Sequence, residues 1–196
     1  MKTLASIYPK YALIGRGSSA MEYGSDKGTI HSYIKMYEKW FAPVRLTAKC
    51  VMEIGMGSGA SVLMWRDYFP NAIIHGIDSW GWPREFHPRN DMTRIAAWKI
   101  DSTNSDSVNK WFQDGMFDII IDDADHHPDV QLEVFKLFWP KLRAGGMYII
   151  EDVALPTFLM DDLSEMKVSP ELLDLRDERP PSDFHANALI LIQKPR

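Results

Sequence analysis

Between residues 50 and 151 the chain alternates short apolar runs with longer mixed segments. The apolar runs predict strands at Cys50–Ile54, Ile73–Ile77, Arg94–Ile100, Phe117–Ile121 and Met147–Ile150. The mixed segments predict helices at Ala60–Phe69, Ser105–Gln113 and Pro128–Leu142, with proline or glycine near their ends. Strands that alternate with helices and are apolar on both faces indicate a Rossmann-like α/β fold, with a mostly parallel sheet covered by helices on both faces.

The two ends of the chain follow other patterns. Residues 22–41 predict a leading helix, because aromatic side chains recur at helical spacing. Leu172–Leu175 and Ala188–Ile192 predict an antiparallel pair that closes the sheet. The segment Trp80–Asp91 predicts a loop of the kind that often covers a ligand. We expect one domain over residues 1–196, with residues 1–21 as an N-terminal extension and 22–48 as the leading helical segment.

Composition excludes several classes of function. The 22 basic and 27 acidic residues give a net charge of -5 and form no Lys/Arg block, so we expect no nucleic-acid partner and favour a small-molecule substrate. Neither a signal peptide nor an apolar run of about 18 residues is visible, so we expect no membrane partner. The one cysteine, Cys50, fits a reducing compartment, and a cytoplasmic protein is the expectation. The sequence leaves open whether the chain forms a homo-oligomer.

The glycine-rich segment Glu53–Gly59 (EIGMGSG) stands between the first predicted strand and its helix. Gly55, Gly57 and Gly59 permit a tight turn whose backbone N–H groups can approach a ligand closely. Asp78 ends the second strand, where a carboxylate can accept hydrogen bonds from ribose hydroxyls. The segment therefore predicts a nucleoside-containing cofactor, and a glycine turn that only packs is the alternative.

The spacing of the glycines distinguishes between two such cofactors. G-M-G-S-G departs from the G-x-G-x-x-G pattern of dinucleotide sites. The carboxylate of Glu53 suits the ammonium of a methionyl group better than a pyrophosphate, so S-adenosylmethionine (SAM) is favoured over a nicotinamide cofactor. Asp101, after the third strand, is a candidate for the adenine amino group, and Ser102 is a weaker one. A turn or helix-capping role is the alternative for Asp101.

Acidic and imidazole side chains follow the fourth and fifth predicted strands. The first group is Asp122–His127 (DDADHH), and the second is the pair Glu151 and Asp152. Carboxylates that crowd at one sheet edge repel one another, and a divalent cation such as Mg²⁺ would relieve this repulsion. A nearby histidine could then take a proton from a substrate hydroxyl. An exposed acidic loop with helix-capping aspartates is the alternative.

With these motifs in view, the sequence resembles the SAM-dependent O-methyltransferases of the macrocin and mycinamicin type, which act on sugar hydroxyls of macrolide antibiotics. The resemblance covers residues 22–152 and is carried by Tyr23–Tyr37, Met52–Pro70, Ile121–His127 and Tyr148–Asp152. It implies a class I methyltransferase sheet with an antiparallel C-terminal strand. It also implies Mg²⁺-dependent methyl transfer to a small hydroxylated acceptor, a sugar or another natural product.

The resemblance implies roles for individual residues. Asp123, Glu151 and Asp152 match the metal ligands, and His126 matches the general base, although His127 remains open for that role. The expected cofactor-binding residues are Tyr23, Lys27, Glu53, Gly55, Gly57, Gly59, Asp78, Ser79, Asp101, Ser102 and Asp122. The segment Asp26–Gly28 and Tyr33 fall where the family lays its leading helix over the cofactor. Two other functions stay open, an NAD-linked oxidoreductase and a SAM-binding protein without catalytic activity.

Overall fold

The computed structural model describes residues 2–12, 24–81, 91–178 and 186–196. Within these residues the strands form one seven-stranded sheet in the order β3-β2-β1-β4-β5-β7-β6. Strands β1 to β5 pair in parallel, whereas β7 runs antiparallel to both β5 and β6. The strands are β1 Cys50–Ile54, β2 Ile73–Asp78, β3 Ile95–Lys99, β4 Phe117–Asp122, β5 Leu142–Ile150, β6 Pro170–Asp174 and β7 Ala188–Gln193.

Helices cover both faces of this sheet. They are α1 Leu4–Ile7, α2 Ile34–Phe41, α3 Ala60–Tyr68, α4 Ser105–Trp111, α5 Pro128–Phe138 and α6 Pro156–Glu165, with short 3₁₀ turns at Tyr8–Lys10 and Arg176–Glu178. Side chains from α1, α2 and α3 form one core with Val51 of β1, and side chains from α4, α5 and α6 form the other with Met52. Successive residues of the central strands thus point into opposite cores, which explains why these strands show no regular alternation of apolar and polar residues.

The structure confirms the predicted fold class, and it changes several element boundaries. The predicted helix over residues 22–41 is described from residue 24 onward, and this part is helical only over Ile34–Phe41, whereas residues 27–30 lie in turns. Helix α5 ends at Phe138 instead of Leu142, because Pro140 cannot continue a helix. Strand β5 begins at Leu142, five residues before the predicted start, and includes Gly145 with a φ of +75°. Helix α6 was not predicted.

The carboxyl ends of β1, β2, β4 and β5 meet at one edge of the sheet, so the loops that follow them are neighbours. Ile54 pairs with Ile77 and with Asp122, and Asp122 pairs with Ile150. The glycine turn follows β1, and the acidic loops follow β4 and β5. Ligand sites of parallel α/β sheets lie at this edge. Among the described residues, no helix is long and apolar enough to cross a bilayer.

A buried histidine in β2 makes stability depend on pH. The ring of His75 stacks on Trp98 with centroids 5.2 Å apart, and burial lowers the pKa of His75 to about 4. The unfolded chain, with a histidine pKa near 6.5, binds this proton more readily. The contribution of His75 to the free energy of unfolding is therefore fully present above about pH 6.5 and is lost as the pH drops towards 4.

We expect wild type to lose about 1–2 kcal/mol of unfolding free energy through His75 between pH 7 and pH 5. The variant His75→Phe keeps an aromatic ring against Trp98 but has no group that titrates there. Its unfolding free energy should therefore fall by about 1–2 kcal/mol less than that of wild type between pH 7 and pH 5. Urea denaturation at both pH values measures it. The variant His127→Asn, which replaces an exposed histidine, should behave as wild type, and an equal loss in His75→Phe would contradict the prediction.

Candidate active site

The glycine turn after β1, Gly55–Gly59, packs closely against the backbone of the loop that follows β4. Gly55, Gly57 and Gly59 have φ values of +85°, +48° and +78°, in the left-handed region that favours glycine. A Cβ added to Gly55 would lie 2.1 Å from the carbonyl oxygen of Asp123. The Asp78 carboxylate accepts hydrogen bonds from the N–H groups of Met56 and Gly57, at 3.1 and 3.0 Å. The turn is thus fixed against the ends of both β2 and β4.

Two neighbouring cavities border this turn within the described residues. The larger has a volume of about 400 Å³, and the smaller one of about 230 Å³. Gly55, Gly57 and Asp123 line both cavities. The larger is also lined by the predicted cofactor residues Asp78, Ser79, Asp101 and Ser102. Its size is in the range of small-molecule sites.

Other residues predicted to bind the cofactor take different places. Glu53 is fully buried, accepts a hydrogen bond from the hydroxyl of Ser61 at 2.8 Å, and lines neither cavity. Asp122 is also buried, and its carboxylate accepts a hydrogen bond from the Tyr148 hydroxyl at 3.1 Å. Burial raises the pKa of both carboxyls to about 7. Gly59 caps the start of α3, and Tyr23 lies outside the described residues.

Asp101 combines both predicted roles at one position. Its Oδ1 atom accepts hydrogen bonds from the N–H and the hydroxyl of Thr103, at 3.0 and 2.8 Å, as a turn residue does. The same residue lines the larger cavity, beside Ile100 and Ser102. Asp101 thus stabilises the turn and also lines the cavity.

The acidic residues after β4 and β5 surround a lysine ammonium group. The Nζ atom of Lys27 lies 2.5 Å from Asp123 Oδ2 and 2.6 Å from Glu151 Oε1. It also lies 3.4 Å from Glu53 Oε1. Desolvation lowers the pKa of Lys27, but the surrounding carboxylates outweigh this and hold it well above its usual value. Lys27 lines the smaller cavity, yet its charge is directed at carboxylates.

His126 stands on the other side of the acidic cluster. Its Nε2 atom lies 3.7 Å from Asp152 Oδ2 and 3.9 Å from Asp123 Oδ1, and its side chain is 46% exposed. His127 instead lies 3.7 Å from Asp129 in the first turn of α5, with its side chain 65% exposed. Of the two histidines, His126 is thus the one that faces the acidic cluster.

The leading segment supplies hydroxyl groups to the same cluster. The Tyr33 hydroxyl donates a hydrogen bond to Asp152 Oδ1 at 2.6 Å, and the Tyr37 hydroxyl donates to Glu151 Oε1 at 2.5 Å. His31 Nδ1 lies 3.2 Å from Asp152 Oδ1. The sequence pattern indicated that Tyr33 and Tyr37 share an aromatic helix face, but not that this face bonds the acidic pair.

In the part of the chain that the structure describes, two overlapping sets of side chains have the geometry to hold a cation. One is Asp123, His126 and Asp152, and the other is Glu53, Asp123 and Glu151, with ligand atoms in each set within 4.8 Å of one another. The second set is engaged by Lys27. The first offers carboxylate oxygens on the open side, which suit a hard cation such as Mg²⁺. The predicted ligands Asp123, Glu151 and Asp152 therefore lie close together. Glu151 lies on one side of Asp123, and Asp152 lies on the other.

The sheet order and the glycine turn together define a class I methyltransferase fold. A family model described as a methyltransferase domain matches residues 52–153, and the chain belongs to this family. Over its full length the chain resembles a solved structure of the MycE methyltransferase from the mycinamycin biosynthetic pathway in complex with Mg and SAH. The TM-score is 0.69, the sequence identity is 22%, and the match covers 55% of that chain.

Two relatives with similar sequences are O-methyltransferases whose names specify glycosylated acceptors. The chain is 33% identical over 150 residues to 8-demethyl-8-alpha-L-rhamnosyl tetracenomycin-C 2'-O-methyltransferase of Streptomyces olivaceus. It is 35% identical over 145 residues to L-olivosyl-oleandolide 3-O-methyltransferase of Streptomyces antibioticus. These matches cover 71% and 68% of this chain but only 38% and 36% of the two relatives. The chain therefore spans less than half the length of either relative.

Proposed function

We propose that this protein transfers a methyl group from SAM to a hydroxyl of a small molecule, with the help of Mg²⁺. The acceptor class is a sugar or another natural product. The observation that carries the proposal is the meeting of the glycine turn and the acidic loops, because Gly55, Gly57 and Asp123 line both cavities. Cofactor and reacting hydroxyl would then be neighbours. The names of the relatives support this acceptor class.

The larger cavity offers the groups that a nucleoside requires. The backbone at Gly57 is open, since a Cβ built there would meet no atom within 4 Å. Asp78 and Asp101 line the cavity, and their carboxylates would accept hydrogen bonds from the ribose hydroxyls and the adenine amino group. Ser79 and Ser102 add hydroxyl groups at the same wall. These residues would hold the adenosine part of SAM.

The chemistry assigns His126 the role of general base. His126 takes the proton of the acceptor hydroxyl, and the hydroxyl oxygen bonds to the methyl carbon of SAM. The carbon–sulfur bond breaks with its electron pair left on sulfur, which yields S-adenosylhomocysteine. The carboxylates of Asp123 and Asp152 lie beside the imidazole and would orient it towards the acceptor hydroxyl. Mg²⁺, held by these two carboxylates, would make the hydroxyl more acidic.

We expect Asp152→Asn to slow methyl transfer about 10- to 100-fold, because it removes a carboxylate that would hold the cation. The variant Asp129→Asn, at an exposed position in α5, is the matched control and should keep the wild-type rate. Transfer of labelled methyl from SAM to glycosylated natural products, with Mg²⁺ or with chelator, measures both. Full activity of Asp152→Asn in chelator would contradict the role of the cation.

Calorimetry separates this function from the two alternatives that the sequence left open. Titration with SAM, S-adenosylhomocysteine and NADH should show binding of the first two only. Binding of NADH alone would indicate an oxidoreductase. Binding of SAM without turnover against any hydroxylated acceptor would indicate a protein that binds SAM without catalysing transfer.

A further inference from the structure

We propose that Tyr33 is a positioning residue for the cation of the proposed function. Its hydroxyl holds one oxygen of Asp152, so that Asp152 offers only its other oxygen to a divalent cation. Coordination through single oxygens favours Mg²⁺ over Ca²⁺, because Ca²⁺ also takes bidentate carboxylates and a larger number of ligands. The proposal rests on the proposed function in one respect, namely that Asp152 binds a divalent cation.

The two carboxylate oxygens of Asp152 face different groups. Its Oδ1 atom accepts a hydrogen bond from the Tyr33 hydroxyl at 2.6 Å and lies 3.2 Å from His31 Nδ1. Its Oδ2 atom instead lies 3.7 Å from His126 Nε2, the same nitrogen that Asp123 Oδ1 faces at 3.9 Å. Tyr33 and Asp152 are both buried, so the phenol takes the place that water would otherwise have at Oδ1.

The phenol of Tyr33 is itself fixed by its neighbours. Its ring stacks on the imidazole of His31, with centroids 4.7 Å apart and planes inclined by 16°. Its hydroxyl also lies 2.9 Å from the carbonyl oxygen of Ala186, close to the start of β7. The phenol has one proton to donate, and a hydrogen bond to a carboxylate is stronger than one to a neutral carbonyl. The hydroxyl therefore donates chiefly to Asp152 and keeps this carboxylate from rotating.

The backbone at Asp152 also depends on such support. Asp152 follows β5 with a φ of +52°, in the left-handed region that residues other than glycine rarely adopt. A residue keeps this conformation only where the surrounding structure fixes it. The bond from Tyr33 is shorter than the distances from Asp152 to His31 and to His126, so Tyr33 is the closest of these three supports.

The other two predicted ligands have a similar arrangement. Asp123 Oδ2 accepts a hydrogen bond from Lys27 Nζ, whereas its Oδ1 atom faces His126. Glu151 Oε1 accepts hydrogen bonds from both Lys27 and the Tyr37 hydroxyl, which leaves its Oε2 atom to a cation. Residues of the leading segment thus hold one oxygen of each ligand. The remaining single oxygens suit Mg²⁺, which binds few carboxylate oxygens and keeps several water ligands.

The first experiment removes the hydroxyl of Tyr33 and keeps its ring. In Tyr33→Phe the carboxylate of Asp152 can turn and offer both oxygens to one cation. We expect Mg²⁺ to bind about tenfold more weakly and Ca²⁺ to stay within about threefold of wild type, so the ratio of the Mg²⁺ to the Ca²⁺ affinity falls at least about threefold. Competition of each ion with Mn²⁺, followed by electron paramagnetic resonance of free Mn²⁺, measures both affinities. An unchanged ratio would overturn the proposal.

The matched control for this variant is Tyr68→Phe. Tyr68 is another fully buried tyrosine, and its hydroxyl donates to Glu38 Oε1 at 3.2 Å. Glu38 is not a predicted ligand, so Tyr68→Phe should lose stability and keep the wild-type ratio of the two affinities. An equal fall of the ratio in both variants would mean that general loosening of the fold is the cause, and Tyr33 would then have an ordinary structural role.

A double variant tests whether Tyr33 acts through Asp152. Asp152→Asn by itself should weaken Mg²⁺ binding about tenfold or more. In this background Tyr33→Phe should change the ratio of the two affinities by less than about twofold, because the carboxylate through which it acts is absent. A fall of the ratio as large as in the single variant would assign the effect of Tyr33 to another group and contradict the proposal.

A crystal structure of wild type with Mg²⁺ tests the same point without any variant. It should show Asp152 bound to the cation through Oδ2 alone, with Oδ1 still bonded to the Tyr33 hydroxyl. Bidentate binding by Asp152, or binding through Oδ1, would overturn this proposal and leave the proposed function intact. A cation bound away from Asp152 would overturn the cation site of the proposed function, and this proposal with it.

Discussion

The variant His126→Ala is expected to transfer methyl groups at least about a hundredfold more slowly than wild type, the usual contribution of a general base. The imidazole faces Asp152 and Asp123 and is half-exposed, so a substrate hydroxyl can reach it. Affinity for SAM should change little, because His126 lines neither of the two cavities beside the glycine turn. Initial rates with saturating SAM, together with calorimetry, separate these two effects.

The control for this variant is His127→Ala. His127 is paired with Asp129 and not with the acidic cluster, so we expect a rate close to that of wild type. Equal loss in both variants would indicate that the loop, and not the imidazole of His126, is required. A fully active His126→Ala would remove the general base from the mechanism.

The variant Gly55→Ala is expected to destabilise the fold by about 2–5 kcal/mol and to abolish measurable SAM binding. The new Cβ would lie 2.1 Å from the Asp123 carbonyl oxygen, and the φ of +85° disfavours any side chain. The backbone strain costs about 1–2 kcal/mol, and overpacking adds about 1–3 kcal/mol. Urea unfolding followed by circular dichroism measures the stability, and calorimetry measures SAM binding.

Gly115→Ala separates the two contributions. Gly115 has a φ of +69° but open space around it, so this variant should show only the strain of about 1–2 kcal/mol and normal SAM binding. If Gly55→Ala were no less stable than Gly115→Ala, the close approach of the glycine turn to the β4 loop would not hold.

Much of the fold could be predicted because its signals are local. The strands of the parallel sheet are continuous apolar runs, and β1 has the predicted bounds Cys50–Ile54. The errors arose where a local pattern was ambiguous. Gly145 and Gly146 were expected only to follow the end of the predicted helix Pro128–Leu142, but β5 extends through them beside β4, where the register shifts between Phe117 and Ile119. Such an irregularity depends on the partner strand and is not encoded in the glycines themselves.

The candidate site could be predicted in part for a similar reason. Residues that follow parallel strands gather at one edge whatever their sequence separation, and this rule brought the glycine turn and Asp123 together. No such rule applies to Lys27, which precedes the sheet in the chain. Its contact with Glu151 joins residues 124 positions apart, and nothing in the spacing of Asp26–Gly28 indicates it.

The amino-acid sequence by itself determined the layered α/β fold and the edge of the sheet that carries the polar groups, because both follow from the periodicity of short segments. Only the tertiary structure decided which charges face one another. It turned Glu53 inward towards Lys27, paired Glu151 with the same ammonium, and left Asp152 beside His126. The physical reason is that a buried charge requires partners from whichever elements pack around it, and the packing brings those elements together from distant parts of the chain.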